Sequence, residues 1–202
     1  MKREDIKELH YITHIDNLLS ILKNGILCHE KSKKMYHKSV ANPEVQERRA
    51  KVLIPGGKKL HCYANLYFNA HNPMMRDLVD NEKHKELAVI QAEPSVLDGD
   101  GVIISDSNAS SDYVRFYPVK LGLAKLDRNL IFARYWTDPN PFRQFKLKSA
   151  ICAEVLVPDC VPREFVKGIY VSCDESLKKA RSLLTDSLFT DKISGNSDLF
   201  FQ

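Results

Sequence analysis

The sequence predicts an α+β fold. Many short β-like segments come with helical segments between them. The 202 residues suit one domain, with or without a tail, and no segment repeats another. Hydrophobic residues make up 44% and charged residues 28%, ordinary for a chain with a real core.

The first strand is read over Leu9-His10-Tyr11-Ile12-Thr13-His14, which alternates. Asp16 is placed as the N-cap of a helix over 17–24. Leu18, Leu19, Ile21 and Leu22 form its apolar face, and Gly25 stands where a left-handed C-cap belongs. Residues 29–41 carry Lys31, Lys33, Lys34 and Lys38 and read as a surface loop. Asn42-Pro43 supplies an N-cap followed by proline at the first helical position, so a helix is expected over 43–51. Pro55-Gly56-Gly57 is a turn. Ala64 to Asn69 reads as a strand, and Asn72-Pro73 opens a second helix running to about Asn81.

Leu87 to Ala92 is a buried strand, Pro94 to Leu97 a single helical turn, and Val102 to Ser105 a further strand. A small polar loop follows over 106–111, whereas 112–148 gives no regular pattern. Ala150 to Val157 and Gly168 to Ser172 read as strands, and 174–186 as an amphipathic helix. The expected organisation is one domain over 1–190 and a flexible tail over 191–202.

Composition narrows the function classes. No apolar run approaches 18 residues, so no membrane association is expected. Met1-Lys2-Arg3-Glu4-Asp5 lacks the apolar core of a secretory signal. The five cysteines are scattered without a CxxC, which reads as reduced thiols in a cytoplasm rather than disulfides or zinc. HExxH, P-loop, GxSxG and GxGxxG motifs are all missing, and no metal is expected. A net charge of +4 and a pI near 8.7 are compatible with a polyanionic partner without demonstrating one.

Four features could carry chemistry. Glu154 stands in the apolar run Ile151-Cys152-Ala153-Glu154-Val155-Leu156-Val157, where a carboxylate is costly unless paired or used. A structural ion pair and a catalytic role are both open. Arg48 and Arg49 point about 100° apart on a helix, so at most one faces a given site. A solvated helix end is the plainer reading and a phosphate or carboxylate clamp the sharper one. Tyr63, Tyr67 and Phe68 suit a core, but with Asn65, Asn69 and Asn72 beside them they also suit a planar heterocycle. The loop 106–111 precedes Tyr113, Arg115 and Tyr117, a mixture that could stack on and pair with a single strand or simply face solvent.

Four blocks, in order and at matching spacing, resemble the DarT family. They are Tyr11-Ile12-Thr13-His14-Ile15-Asp16-Asn17-Leu18, then Tyr63 through Met74, then Ser105-Asp106-Ser107-Asn108-Ala109 with Arg115-Phe116-Tyr117, then Ala153-Glu154-Val155-Leu156-Val157. The resemblance spans roughly residues 9–172. It implies a compact ADP-ribosyltransferase fold of two small facing sheets with a cleft for NAD. It also implies transfer of ADP-ribose from NAD to a base of single-stranded DNA, with thymine the first choice, and a toxin opposed by a DarG macrodomain antitoxin. A monomer is expected.

By the same resemblance, Glu154 is the catalytic glutamate, and the Arg48-Arg49 pair holds the essential arginine, with Arg49 preferred. Tyr11, Thr13 and His14 belong to the strand that holds the nicotinamide amide, and Asn17 and Asn24 support that wall. Tyr67 and Phe68 wall the nicotinamide or base. His71, Met74, Asn108, Ala109 and Arg115 are expected to meet DNA. The chain departs from the family at Cys62 and His71, where Asp and Arg are common; His71 is a weaker, pH-dependent substitute for an arginine. Competing readings are transfer to guanine in DNA, to RNA or to protein, and a non-catalytic single-strand binder. A nuclease lacks the clustered carboxylates it would need.

Overall fold

A computed structural model describes residues 1–81, 83–185 and 188–202. Strand β1 (Leu9–His14) leads through a 3-10 turn over Ile15–Asn17 into helix α1 (Leu18–Asn24). Asp16 is not the cap. Its backbone N–H donates to His14 Nδ1, its carboxylate pairs with Lys38 at 2.7 Å, and Asn17 takes the N-cap position. Gly25 has φ +79°, and a Cβ there would meet the Val161 carbonyl oxygen at 2.4 Å, so the chain turns tightly onto a neighbouring strand. That contact belongs to a two-stranded antiparallel pair, β2 (Ile26–Leu27) with Cys160–Val161.

Part of the lysine-rich segment expected as loop forms a helical turn, α2 (His29–Ser32). Helix α3 (Pro43–Lys51) starts as expected, with the Asn42 side chain accepting from Glu44 N and Val45 N. Strand β3 (Tyr63–Tyr67) ends two residues early, because the Asn69 side chain serves the turn that follows: it accepts from His71 N and donates to Ile131 O. Helix α4 (Pro73–Asp80) is capped by the fully buried Asn72. Then come β4 (Leu87–Ala92) and β5 (Ile103–Ser105).

The stretch without a regular pattern holds β6 (Phe116–Pro118), α5 (Val119–Lys125), α6 (Arg128–Ile131) and α7 (Pro141–Ala150). Helix α7 opens on Asn140-Pro141, the same signal that opens α3 and α4. It runs through Ala150 and turns over 151–153, so β7 (Glu154–Pro158) begins at Glu154 rather than Ala150. The chain closes with β8 (Cys160–Val161), β9 (Val166–Val171), α8 (Asp174–Leu183) and β10 (Ile193–Gly195). The last turns of the helix expected over 174–186 reach residue 186, outside the described residues.

The strands order β10-β9-β4-β1-β3-β7-β5-β6, antiparallel except for β10 on β9. Six residue pairs join β1 to β4, but a single pair, His10 and Tyr67, joins β1 to β3. The sheet is therefore two four-stranded halves meeting at a seam, with helices around them, the α+β class that the sequence predicts. Leu9, Ile90 and Ile169 of one half and Leu66, Val155 and Ile104 of the other share one buried core.

The segment expected as a flexible tail is packed instead. Ile193–Gly195 pairs with β9, and Phe200 is fully buried in a cluster with Ile12, Met75 and Leu87. The polar composition of 194–198 hid the apolar anchors Ile193, Leu199 and Phe200 on either side.

Candidate active site

Glu154 opens β7 and lies between two strands, opposite Tyr67 of β3 and Ser105 of β5. It is fully buried. Its backbone N–H donates to Ser105 Oγ at 3.1 Å, and that hydroxyl donates to Ser107 O at 2.7 Å, which ties the strand start to the polar loop. Three donors hold the carboxylate. Arg49 Nη1 reaches Oε1 at 3.0 Å, Arg49 Nη2 reaches Oε2 at 3.1 Å, and the Ala109 backbone N–H reaches Oε1 at 2.8 Å. This is the two-pronged geometry that guanidinium and carboxylate planes favour.

The adjacent arginines separate as helix geometry demands. Arg49 is buried in the last turn of α3 and Arg48 is exposed, though both border the cavity beside the pair. Burial pulls the Arg49 pKa down, and the adjoining Glu154 carboxylate more than offsets this, so the guanidinium is held charged above its ordinary value. Burial and the same carboxylate push the Tyr67 phenol well up, leaving a neutral hydroxyl that donates to Met74 Sδ at 3.3 Å. They also push the Cys152 thiol up to about 12, an unreactive form.

The cavity measures about 500 Å³, within the range of small-molecule sites. Tyr11 and Thr13 reach it from alternate positions of β1. Asn17 fixes this wall: its amide donates to Thr13 Oγ1 at 3.1 Å and to Lys38 O at 2.8 Å, and accepts from Lys38 N at 2.9 Å. Tyr67, Met74 and Asn108 line other parts. Glu154 is not among the lining residues and lies one layer behind Arg49.

Six expected site residues are placed otherwise. His14 points to the other face of β1, into a smaller cavity beside Lys38 and Glu86. Asn24 turns back to Ser20 O on an exposed helix end. Phe68 is fully buried in the main core, the usual fate of such a ring. His71 stacks on Phe201 with centroids 3.8 Å apart and does not reach the cavity; burial lowers its pKa. Ala109 contributes its backbone N–H to Glu154, and Arg115 projects into solvent from the base of the loop, where its backbone pairs with Asp106.

Sequence reasoning missed a histidine pair. His29 and His61 lie in the cavity lining with ring centroids 4.1 Å apart. Burial, His29 and Arg49 lower the His61 pKa to about 4, and burial lowers that of His29. Both are therefore neutral near pH 7, and His61 Nε2 is buried without a partner among the described residues. Neither histidine belongs to a motif, and His29 stood in what read as surface loop.

A buried carboxylate, an arginine clamp and a substrate-sized cavity are general features, and the comparisons with known proteins are specific. The family model for the single-stranded-DNA thymidine ADP-ribosyltransferase DarT matches residues 10–201. The chain belongs to the DarT family.

Relatives of the DarT type extend this. A DNA ADP-ribosyl transferase–glycohydrolase fusion protein of Thermosipho africanus is 37% identical over 188 residues, covering 86% of this chain and 45% of the fusion. A DNA ADP-ribosyl transferase of a Thermus strain is 31% identical over 172 residues, covering 81% of this chain and 80% of that protein. The chain thus spans under half of the fusion and most of the free-standing transferase. In three dimensions it matches Thermus DarT in complex with ADP-ribosylated single-stranded DNA, with TM-score 0.81, 25% identity and 97% of both chains covered. It matches Thermosipho DarTG in complex with ADP-ribose with TM-score 0.82 and 30% identity over 96% of this chain and 51% of that one.

Proposed function

We propose that this chain transfers ADP-ribose from NAD to thymine in single-stranded DNA, with Glu154 as the catalytic carboxylate. The observation that carries this reading is Glu154, fully buried and gripped by the Arg49 fork beside a cavity of about 500 Å³. The residues present suit the dinucleotide. Thr13 and Asn17 offer amide-binding groups, Tyr11 and Tyr67 offer ring faces, and Arg48 supplies positive charge at the rim.

When bound, NAD supplies a glycosidic bond to a cationic leaving group, so positive charge develops on the ribose as the bond breaks. Glu154 provides negative charge for that centre, its carboxylate oriented by three donors. The same carboxylate accepts the proton of the attacking ring nitrogen. Arg49 grips both carboxylate oxygens of Glu154, and its fork is shared or displaced when the ribose takes its place. A ring nitrogen is free only outside a base pair, which agrees with a single-stranded target. Asn108 lines the cavity and Ala109 touches Glu154, so the loop before β6 can meet base and catalyst together. The natural counterpart of such a chain is a macrodomain glycohydrolase acting as antitoxin, the activity fused to the transferase in the Thermosipho relative.

The test is incubation with NAD and single-stranded oligonucleotides, read by mass. Thymine-containing strands are expected to gain one ADP-ribose and thymine-free strands none. No gain on any strand, DNA or RNA, overturns the reaction, and gain on guanine alone or on protein alone overturns the target.

A further inference from the structure

Helix α7 is unusual for its length: none of its ten residues is buried. It carries Phe142 at 85% and Phe145 at 60% exposure. Their spacing of three puts both rings on one face, with Lys146 four residues from Phe142 and Lys148 three from Phe145. The opposite stripe holds Leu147 and Ala150, both partly covered. The helix thus turns its largest apolar groups to solvent, against the pattern of a helix packed by its apolar side.

The charge is one-sided as well. Arg143, Lys146 and Lys148 are the only charged residues of α7, and none has an ion-pair partner among the described residues. Lys148 borders the active-site cavity, while Phe142 lies twelve residues before Glu154 along the same helix and its closing turn. Exposed aromatic rings interleaved with free cations, leading out of a cavity, are the composition that holds single-stranded nucleic acid: rings stack on bases of any sequence while cations follow the phosphates.

We propose that α7 is a docking surface for the single-stranded DNA flanking the target base, with Phe142 and Phe145 as stacking platforms and Arg143 and Lys146 as phosphate contacts. This rests on the proposed reaction and adds a site outside the cavity. It makes α7 a determinant of strand affinity rather than of chemistry. The face commits to a polyanion because it has no acidic residue and no paired cation.

The experiment compares wild type with Phe142→Ala/Phe145→Ala and with Arg143→Gln/Lys146→Gln. Binding of a fluorescent random-sequence DNA 20-mer is measured by anisotropy across salt, and ADP-ribose gain is measured on thymine-containing 4-mers, too short to span both sites. Loss of two stacked bases is expected to raise Kd for the 20-mer about tenfold or more. Removal of two cations is expected to flatten the salt dependence by roughly 1.4 in the log–log slope. Labelling of the 4-mers is expected to stay within about twofold, with thermal melting unchanged at these exposed positions. Unchanged Kd and salt slope in both variants overturn the proposal. So does unchanged DNA binding with weakened binding to anionic phospholipid vesicles, which would make α7 a membrane contact. If wild type labels nothing yet binds the 20-mer through α7, the reaction fails and the docking surface stands.

Discussion

Arg49 and Glu154 face each other in a closed, buried ion pair that joins the end of α3 to the start of β7 across 105 residues of sequence. The structural pair that the residues alone left open for Glu154 is therefore present, and the proposed catalytic role uses the same carboxylate. Buried pairs contribute little net stability, but removing one partner strands a charge, which costs about 3–5 kcal/mol.

Arg49→Ala and Glu154→Ala are each expected to lower stability by about 3–5 kcal/mol, and the double variant by clearly less than their sum. Denaturant unfolding of all four proteins measures this. Glu154→Gln keeps the side-chain shape and is expected to cut ADP-ribose transfer by about a hundredfold or more. Transfer at the wild-type rate in Glu154→Gln would assign the residue to structure alone.

The histidine pair sets a pH window. His61 has a folded pKa of about 4 against an ordinary 6.5, and that of His29 is lowered too. The unfolded chain binds these protons more readily than the folded one between the two values. Stability from neutral burial is therefore fully present above about pH 6.5 and is lost as pH falls toward 4. His61→Gln is expected to flatten this decline. Urea midpoints at pH 7.5 and 5.0 for both proteins measure it, and equal acid sensitivity would remove His61 as the cause.

Gly25→Ala tests the turn from α1 into β2. At φ +79° and with a backbone oxygen 2.4 Å from the new Cβ, neither side of the contact can yield cheaply. A loss of at least about 2 kcal/mol is expected. The same change at Gly195, where a Cβ meets nothing within 4 Å, is expected to be nearly neutral and serves as its control.

Phe200→Ala distinguishes a packed C-terminus from a loose one. Emptying a fully buried phenylalanine site is expected to cost about 3–5 kcal/mol. An unchanged melting temperature would return residues 191–202 to the status of a tail.

What could be read in the sequence depended on how local each signal was. β1, α3, α4 and β4 have their signals inside themselves, as alternation, an Asn-Pro start or an apolar run, and they form where expected. Asn140-Pro141 carried the same information and was obscured by Trp136, Pro139 and the aromatics of α7, whose outward face breaks the usual periodicity. Phe200 is anchored by residues more than a hundred positions away, which no window of sequence reveals. At the site, alternation along β1 placed Thr13 on the cavity wall and should equally have placed His14 off it. His29 and His61 become neighbours only through the fold.

The seam between β1 and β3 has a consequence for how such a protein can change. Because one residue pair, His10 with Tyr67, joins the halves by backbone pairing, the strand that carries Tyr11 and Thr13 and the strand that carries Glu154 take most of their pairing from their own half, although the two share a core. Substitutions in β5, β6, α7 or the loop at 106–115 can redraw what is presented to the acceptor while Tyr11, Thr13 and Asn17 keep their own strand, helix and hydrogen bonds. On the proposed reaction, one half is free to be conservative and the other inventive, so a lineage can acquire a new target without relearning how to hold its donor.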